Sequence, residues 1–392
     1  MNYILFDESV TRQNLLPFTF TRPLSEIRIG IMTIKEKWEK ISGQDFSVST
    51  EDYLAKKFPF NFSKKEDNIW INGSVIPTIE LLKAIKALKK YEDLKSGETL
   101  IAVNAGKEKI ENFVGKTKGK EWKGKPILKI NHLWDTFSLN GQAIEEDYKL
   151  ITKGRKSANV SKTNTLIGDR IFIEKGAKVE CAILNSSTGP IYIDKDSEVM
   201  EGSVIRGPFA LCEGAVLKMG AKIYGPTTIG PHSKVGGEVS NSVIFGYSNK
   251  GHDGFLGNSV LGEWCNLGAD TNTSNLKNNY SVVSVYDHSS EKMVSTGLTF
   301  CGLMMGDHSK CSINTMFNTG TVVGVCANIF GSDFPPKFIP SFSWGGAAGF
   351  TTYELDKAFE TAERVFERRH KPFDETEKAI LKKVFSLTRS KD

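Results

Sequence analysis

No run of about 18 consecutive apolar residues occurs in the chain, so a membrane-spanning helix is not expected. The opening residues, MNYILFDESV, have too short an apolar stretch and no basic leader for a signal peptide, which points to a cytoplasmic protein. Neither sign of charge dominates. A formal +5 over 392 residues demands neither nucleic acid nor a membrane surface, and small anionic ligands suit it equally well. The six cysteines, Cys181, Cys212, Cys265, Cys301, Cys311 and Cys326, contain no CxxC pair. Most lie in one repetitive region where they can serve as small core residues, and all are read as reduced thiols. With 39% hydrophobic residues the chain has the composition of an ordinary soluble protein, long enough for two domains.

What the chain does have is a period. From Ile193 an aliphatic residue returns every sixth position, as Val199, Ile205, Leu211, Leu217, Ile223, Ile229 and Val235. Four places after each stands Ser197, Ser203, Phe209, Ala215, Ala221, Thr227, Ser233 or Val239, mostly small. Six matches neither the helical period of about 3.6 nor the strand period of about 2. It fits a parallel β-helix in which each hexad forms one short side of a three-sided coil, aliphatic residue inward and small residue at the corner. Gly202, Gly207, Gly214, Gly220, Gly225, Gly230 and Gly236 supply the permissive backbone that corners need. An ordinary all-β domain with regular turns is the plain alternative.

The period begins at Ile167, Ile173 and Val179, breaks between Val243 and Phe255, and resumes at Leu261 and Leu267. It is lost from Thr273 to about Thr296, returns as Met305, Cys311, Phe317, Val323 and Ile329, and is expected to end at Pro335, Pro336 and Pro340. Breaks in a solenoid are where insertions emerge without disturbing the core. Upstream, 3–6, 69–75 and 99–103 read as strands and 31–38 and 79–90 as helices, an α/β pattern up to about residue 155. The lysine-rich stretch 116–125 reads as solvated loop. Downstream, 353–369 and 375–387 read as helices.

The stretch KGHDGFLGNSVLGEWCNLGADTNTSN, 250–275, resembles the acetyltransferase domain of the bifunctional N-acetylglucosamine-1-phosphate uridyltransferase/glucosamine-1-phosphate acetyltransferase family. There KAGHLSYLGD is followed at the same spacing by VNIGAGTITCN, and the histidine is the catalytic base. The resemblance assigns that role to His252, puts Phe255 in place of the family's tyrosine, and matches Asn266 and Asn275 to its two asparagines. Lys277 is a stand-in for the family's later basic residue, and the arginine that follows GPFA in the family is missing from GPFALCEG, 207–214. A histidine suits the task, because an amine must lose a proton to attack a CoA thioester and an imidazole takes one near neutral pH.

The N-terminal part resembles sugar-1-phosphate nucleotidyltransferases, which open with a strand, a Gly-rich loop ending GTR and a segment like LRPLTLTRPKP. DESVTRQNLLPFTFTRPLSE keeps Thr11, Arg12, Leu16, Pro17, Thr19, Arg22 and Pro23, but the glycine cradle is gone and Leu24 replaces the lysine. Asn72-Gly73 stands where a metal-binding aspartate is expected. Asp7, Arg12, Arg22 and Lys35 remain as candidates to hold the phosphates of UTP, and Asp135 and Asn140 as candidates for Mg²⁺.

The resemblance thus implies a Rossmann-like α/β nucleotidyltransferase domain (1–155), a left-handed parallel β-helix acyltransferase domain (160–340) and a C-terminal helical segment (341–392). It implies a homotrimer using acetyl-CoA, UTP and Mg²⁺ to make UDP-N-acetylglucosamine. Three other readings stand beside it. One gives the N-terminal domain another sugar specificity or makes it degenerate and non-catalytic. A zinc hydratase is a different class, with His232, His252, His288 and His308 available though no two lie five apart. A non-catalytic assembly partner is the third.

Overall fold

The structure is a computed structural model that describes residues 1–110 and 119–389. The chain divides into two compact units: Met1–Leu15, Thr21–Ile27 and Met32–His132 form one, and Leu16–Phe20, Arg28–Ile31 and Leu133–Asp392 the other.

The first unit is built on a six-stranded sheet. Asn2–Phe6 lies between parallel neighbours Phe46–Ser49 and Asn68–Asn72, and the order continues through Thr99–Asn104, Asp93–Ser96 and Gly119–Glu121. The joins on either side of Thr99–Asn104 are antiparallel. Tyr3, Ile4 and Leu5 are all buried, as a strand covered on both faces requires. The helix expected at 31–38 runs from Ile34 to Ser42, because Thr33 and Glu36 cap it reciprocally and Gly43, at φ 69°, ends it. Of the expected loop at 116–125, residues up to 118 lie outside the described residues; Gly119–Glu121 is an edge strand rather than loop.

The second unit is a three-sided solenoid whose sides are parallel sheets, as the six-residue period requires. Its first side starts at Thr165–Ile167, its second at Ile171–Ile173 and its third at Lys178–Val179. Every third hexad shares a ladder. Ile173, Ile193, Leu211, Ile229, Ile244, Leu261, Met305, Val323 and Ile339 stack on the second side, all turned inward and buried. The prolines after residue 334 do not end the solenoid. Phe338–Ile339 and Ser343–Gly346 add further strands, and Gly349–Thr352 folds back on the last as an antiparallel cap. Proline is tolerated there because it precedes the strand instead of interrupting a central one.

The phase break has a simple geometry. Leu211 pairs with Ile229 eighteen residues on, but Ile229 pairs with Ile244, only fifteen on, so residues are lost at corners while the sides stay in register. The lost stretch after Thr273 carries an antiparallel hairpin, Ser284–Asp287 with Lys292–Ser295. The C-terminal helices are Leu355–Glu367 and Glu375–Arg389. All six cysteines are free thiols, five of them buried. No helix among the described residues is long and apolar enough to cross a membrane.

Candidate active site

On the third side the inward ladder reads Val179, Val199, Leu217 and Val235, and the next rung is Lys250. A lysine thus occupies a core position and is 2% exposed. Its Nζ donates to the peptide oxygens of His252, at 2.6 Å, and Asp253, at 3.1 Å. Burial pulls the ammonium down to about 8, against the carboxylates of Asp253 and Asp270, which favour the charge. The corner that leads from Asn249–Lys250 to the first-side strand Phe255–Gly257 is therefore held from inside the solenoid. Gly237 lies against it: a Cβ there would meet the peptide oxygens of Gly254 at 2.8 Å and His252 at 2.9 Å, and its φ is +72°.

His252, at this corner, is exposed and lines a cavity of about 640 Å³ together with Asn266, Asn249, Gly268 and Trp264. Asn266 sits on the third side, where Asn249 Nδ2 donates to its Oδ1 at 3.4 Å. Phe255 and Asn275 lie around the corner on the first side. Asn275 Nδ2 donates to Asn258 Oδ1 at 2.9 Å, and both it and the Phe255 ring crowd over Gly257, where a Cβ would find no room. Lys277 is engaged within the insertion, its Nζ donating to Val282 O at 2.6 Å and Ser281 Oγ at 3.3 Å. The structure thus brings His252 and Asn266 to one cavity, sets Phe255 and Asn275 beside the same corner, and uses Lys277 to tie a loop.

The far wall of the cavity is the end of helix Leu355–Glu367 with Arg368 and Arg369. It is fastened by an aromatic stack that sequence reading missed. His232, Tyr247 and Trp264 each stand two residues before a third-side strand, at φ 56°, 52° and 63°. Their rings follow one another at 5.0 and 4.4 Å, and Phe366 of the helix lies 3.9 Å from Trp264. The recurrence of ring-bearing residues just ahead of the hexads was the available signal.

The N-terminal candidates separate. Asp7 follows strand Asn2–Phe6, and its side chain is buried. Its carboxylate accepts from Arg12 Nη1 at 2.8 Å, the Leu24 amide at 2.8 Å and Thr50 Oγ1 at 2.5 Å. Burial nonetheless raises its pKa, with Arg12, Thr50 and Leu24 pulling the other way. Arg12 also donates to the Arg22 peptide oxygen and to Tyr53. Both arginines are buried, at 7% and 5% exposure, so Arg12 is a bracing residue rather than an open phosphate ligand. Lys35 is not with them. It pairs with Glu26 and Glu39 beside a cavity lined by Asn2 and Phe46, at the amino ends of the strands, whereas ligands of open α/β sheets bind at the carboxyl ends.

Asn140 and Asp135 belong to the other unit. Asn140 is fully buried, its Oδ1 accepting from the Gly30 amide and Thr228 Oγ1 and its Nδ2 donating to Pro226 O. With its amide oxygen taken, the pair does not fit a Mg²⁺ site; Asp135 opens a short helix, Asp135–Ser138. Among the described residues of the single chain, no group of three or more His, Cys, Asp or Glu is placed to hold a metal ion.

Residues 3–156 match the family model described as sugar nucleotidyl transferase. The chain is similar to a putative uncharacterised acetyltransferase, YaiX, of Escherichia coli strain K12, at 26% identity over 196 residues, 50% of this chain and 78% of that protein. A bifunctional sugar-1-phosphate nucleotidylyltransferase/acetyltransferase of Sulfurisphaera tokodaii is 30% identical over 144 residues, 36% of this chain and 35% of that one. The bifunctional protein GlmU of Wigglesworthia glossinidia brevipalpis is 28% identical over 172 residues, 42% and 31% of the two chains. Among solved structures, the polySia specific acetyltransferase NeuO aligns at TM-score 0.30 and 14% identity, covering 54% of this chain and 99% of that one. The chain is therefore a transferase, with residues 3–156 matching the sugar nucleotidyl transferase model and with similarity elsewhere to acetyltransferases and to bifunctional nucleotidylyltransferase/acetyltransferases.

Proposed function

We propose that the solenoid transfers an acetyl group from acetyl-CoA to the amine of glucosamine-1-phosphate, with His252 as general base. The observation that carries this is the position of His252: exposed, in a cavity beside Asn266, on a loop whose peptide oxygens are gripped by a buried lysine. The amine nitrogen attacks the thioester carbonyl while His252 takes its proton. The C–S bond then breaks, and the CoA thiolate leaves to be protonated. The neighbouring Lys250 is occupied from within, its ammonium held by the peptide oxygens of His252 and Asp253. The amides of Asn266 and Asn275 are suited to orient the sugar and the acetyl carbonyl.

His252→Ala should lower the acetyl-transfer rate on the order of 10²–10⁴-fold, the usual contribution of a positioned base, and leave the unfolding temperature unchanged. A variant that retains full activity in a thiol-release assay removes His252 from the mechanism.

For the N-terminal segment the proposal is uridylyl transfer from UTP to N-acetylglucosamine-1-phosphate, the two activities together making UDP-N-acetylglucosamine. A second reading, a segment kept for structure, is favoured by the engagement of Asp7 and Arg12 with each other and with their surroundings. Calorimetry with UTP, with and without Mg²⁺, separates the two. Heat of binding supports transfer, and none at millimolar UTP supports the structural role.

A further inference from the structure

The cavity beside His252 carries more positive charge than proton abstraction requires. Lys218, Lys234, Lys310, Arg368 and Arg369 line it, and among the described residues no aspartate or glutamate does. Two of the five are committed: Lys310 Nζ donates to the peptide oxygen of His308 at 2.9 Å, and Arg369 Nη2 to Asn249 Oδ1 at 3.1 Å. The side chains of Lys218, Lys234 and Arg368 have neither hydrogen bond nor ion pair among the described residues. Partial burial, and then the charges of Arg369, Lys218 and Arg368, hold the Lys234 ammonium below the usual lysine range. Like charges gathered without a counter-charge repel one another, and a bound anion would relieve that repulsion.

We propose that Lys218, Lys234 and Arg368, backed by Lys310 and Arg369, form a phosphate-binding site that anchors a phosphorylated substrate beside His252. Phosphate oxygens accept from ammonium groups as point charges and from a guanidinium as a planar fork, and the cluster offers both. The stem of the site is rigid. Lys234 stands on a solenoid strand, and the two arginines follow a helix fastened by Phe366 against Trp264. Both partners of the proposed transfer carry phosphate, the CoA through its nucleotide end and the acceptor through its anomeric phosphate. Only the identity of that carrier rests on the acetyl-transfer reading; the site itself does not.

Titration calorimetry on the full chain tests this without turnover, using inorganic pyrophosphate, CoA, glucosamine-1-phosphate and glucosamine with the wild type, Lys234→Met and Arg368→Gln. Both replaced side chains are exposed, and circular dichroism checks that each variant folds. The wild type should bind pyrophosphate more weakly as salt is raised, and each variant should bind it at least tenfold more weakly. A parallel loss for CoA alone assigns the site to the acyl donor, and a loss for glucosamine-1-phosphate alone assigns it to the acceptor. A wild type that binds no phosphorylated probe, or variants that bind all of them as the wild type does, overturns the site. Phosphate binding without any acetyl transfer by the wild type leaves the site standing and sinks the proposed reaction.

Discussion

Two buried charged residues show how differently a single side chain can serve. Lys250 replaces an aliphatic rung, and its folded-state pKa lies near 8, below that of an unfolded lysine. Between about pH 8 and pH 10.5 the unfolded chain therefore holds more protons than the folded one, so this residue makes stability rise with pH across that window. Lys250→Met should abolish that rise, on the order of 3 kcal/mol, in denaturant titrations at pH 7.5 and 10.5. At pH 7 the variant should be no less stable than the wild type, because a well-packed apolar residue replaces a buried charge. Its acetyl transfer should nevertheless fall about tenfold, since the His252 loop loses both of its internal ties; unchanged turnover would show that the loop holds itself. Arg12 is the opposite case. Arg12→Ala strands the buried Asp7 carboxylate, and urea unfolding should register a loss of about 3 kcal/mol. A variant as stable as the wild type would return Arg12 to the pool of free phosphate ligands.

Among the elements, the helix Leu355–Glu367 decides the shape of the cavity, and its hold is the aromatic stack rather than its own propensity. Trp264 is 6% exposed and touches Tyr247 on one side and Phe366 on the other. Trp264→Ala should cost about 3 kcal/mol or more. Amide exchange of Ala358, Ala362 and Phe366 should speed up severalfold while the solenoid ladders stay protected. Equal protection in variant and wild type would mean that the helix is held elsewhere. The left-handed backbone of Trp264 does not offset that loss, because alanine keeps the Cβ that strains a residue at φ 63°.

At the scale of the whole molecule, the outer surface of the first side carries exposed apolar residues among polar ones such as Arg206 and Lys222. Ile183 and Val204 are neighbours on it, 39% and 44% exposed, with Tyr224 beyond them at 41%. This supports the proposal of a homotrimer packed through the solenoids. Light scattering at micromolar concentration should give three times the chain mass, and Val204→Asp should give the monomer; a monomeric wild type would end the proposal.

How far the sequence alone reached follows from the kind of fold. A solenoid is nearly one-dimensional, so each coil meets only its neighbours and the hexad period is the geometry: Ile193, Leu211 and Ile229 stack because eighteen residues make a coil. The motif around His252 was legible for the same reason, since His252, Phe255, Asn266 and Asn275 lie within two adjacent coils. The inward turn of Lys250 was not, because it depends on a coil shortened to fifteen residues, which hides the rung from any count by sixes. Nor did the sequence reveal that Asn140 is a tie to Gly30 and Thr228, or that Arg368 would face Lys234. Those pairings join residues about ninety or more positions apart, and no local period or motif records them; only packing decides which distant side chains share a space.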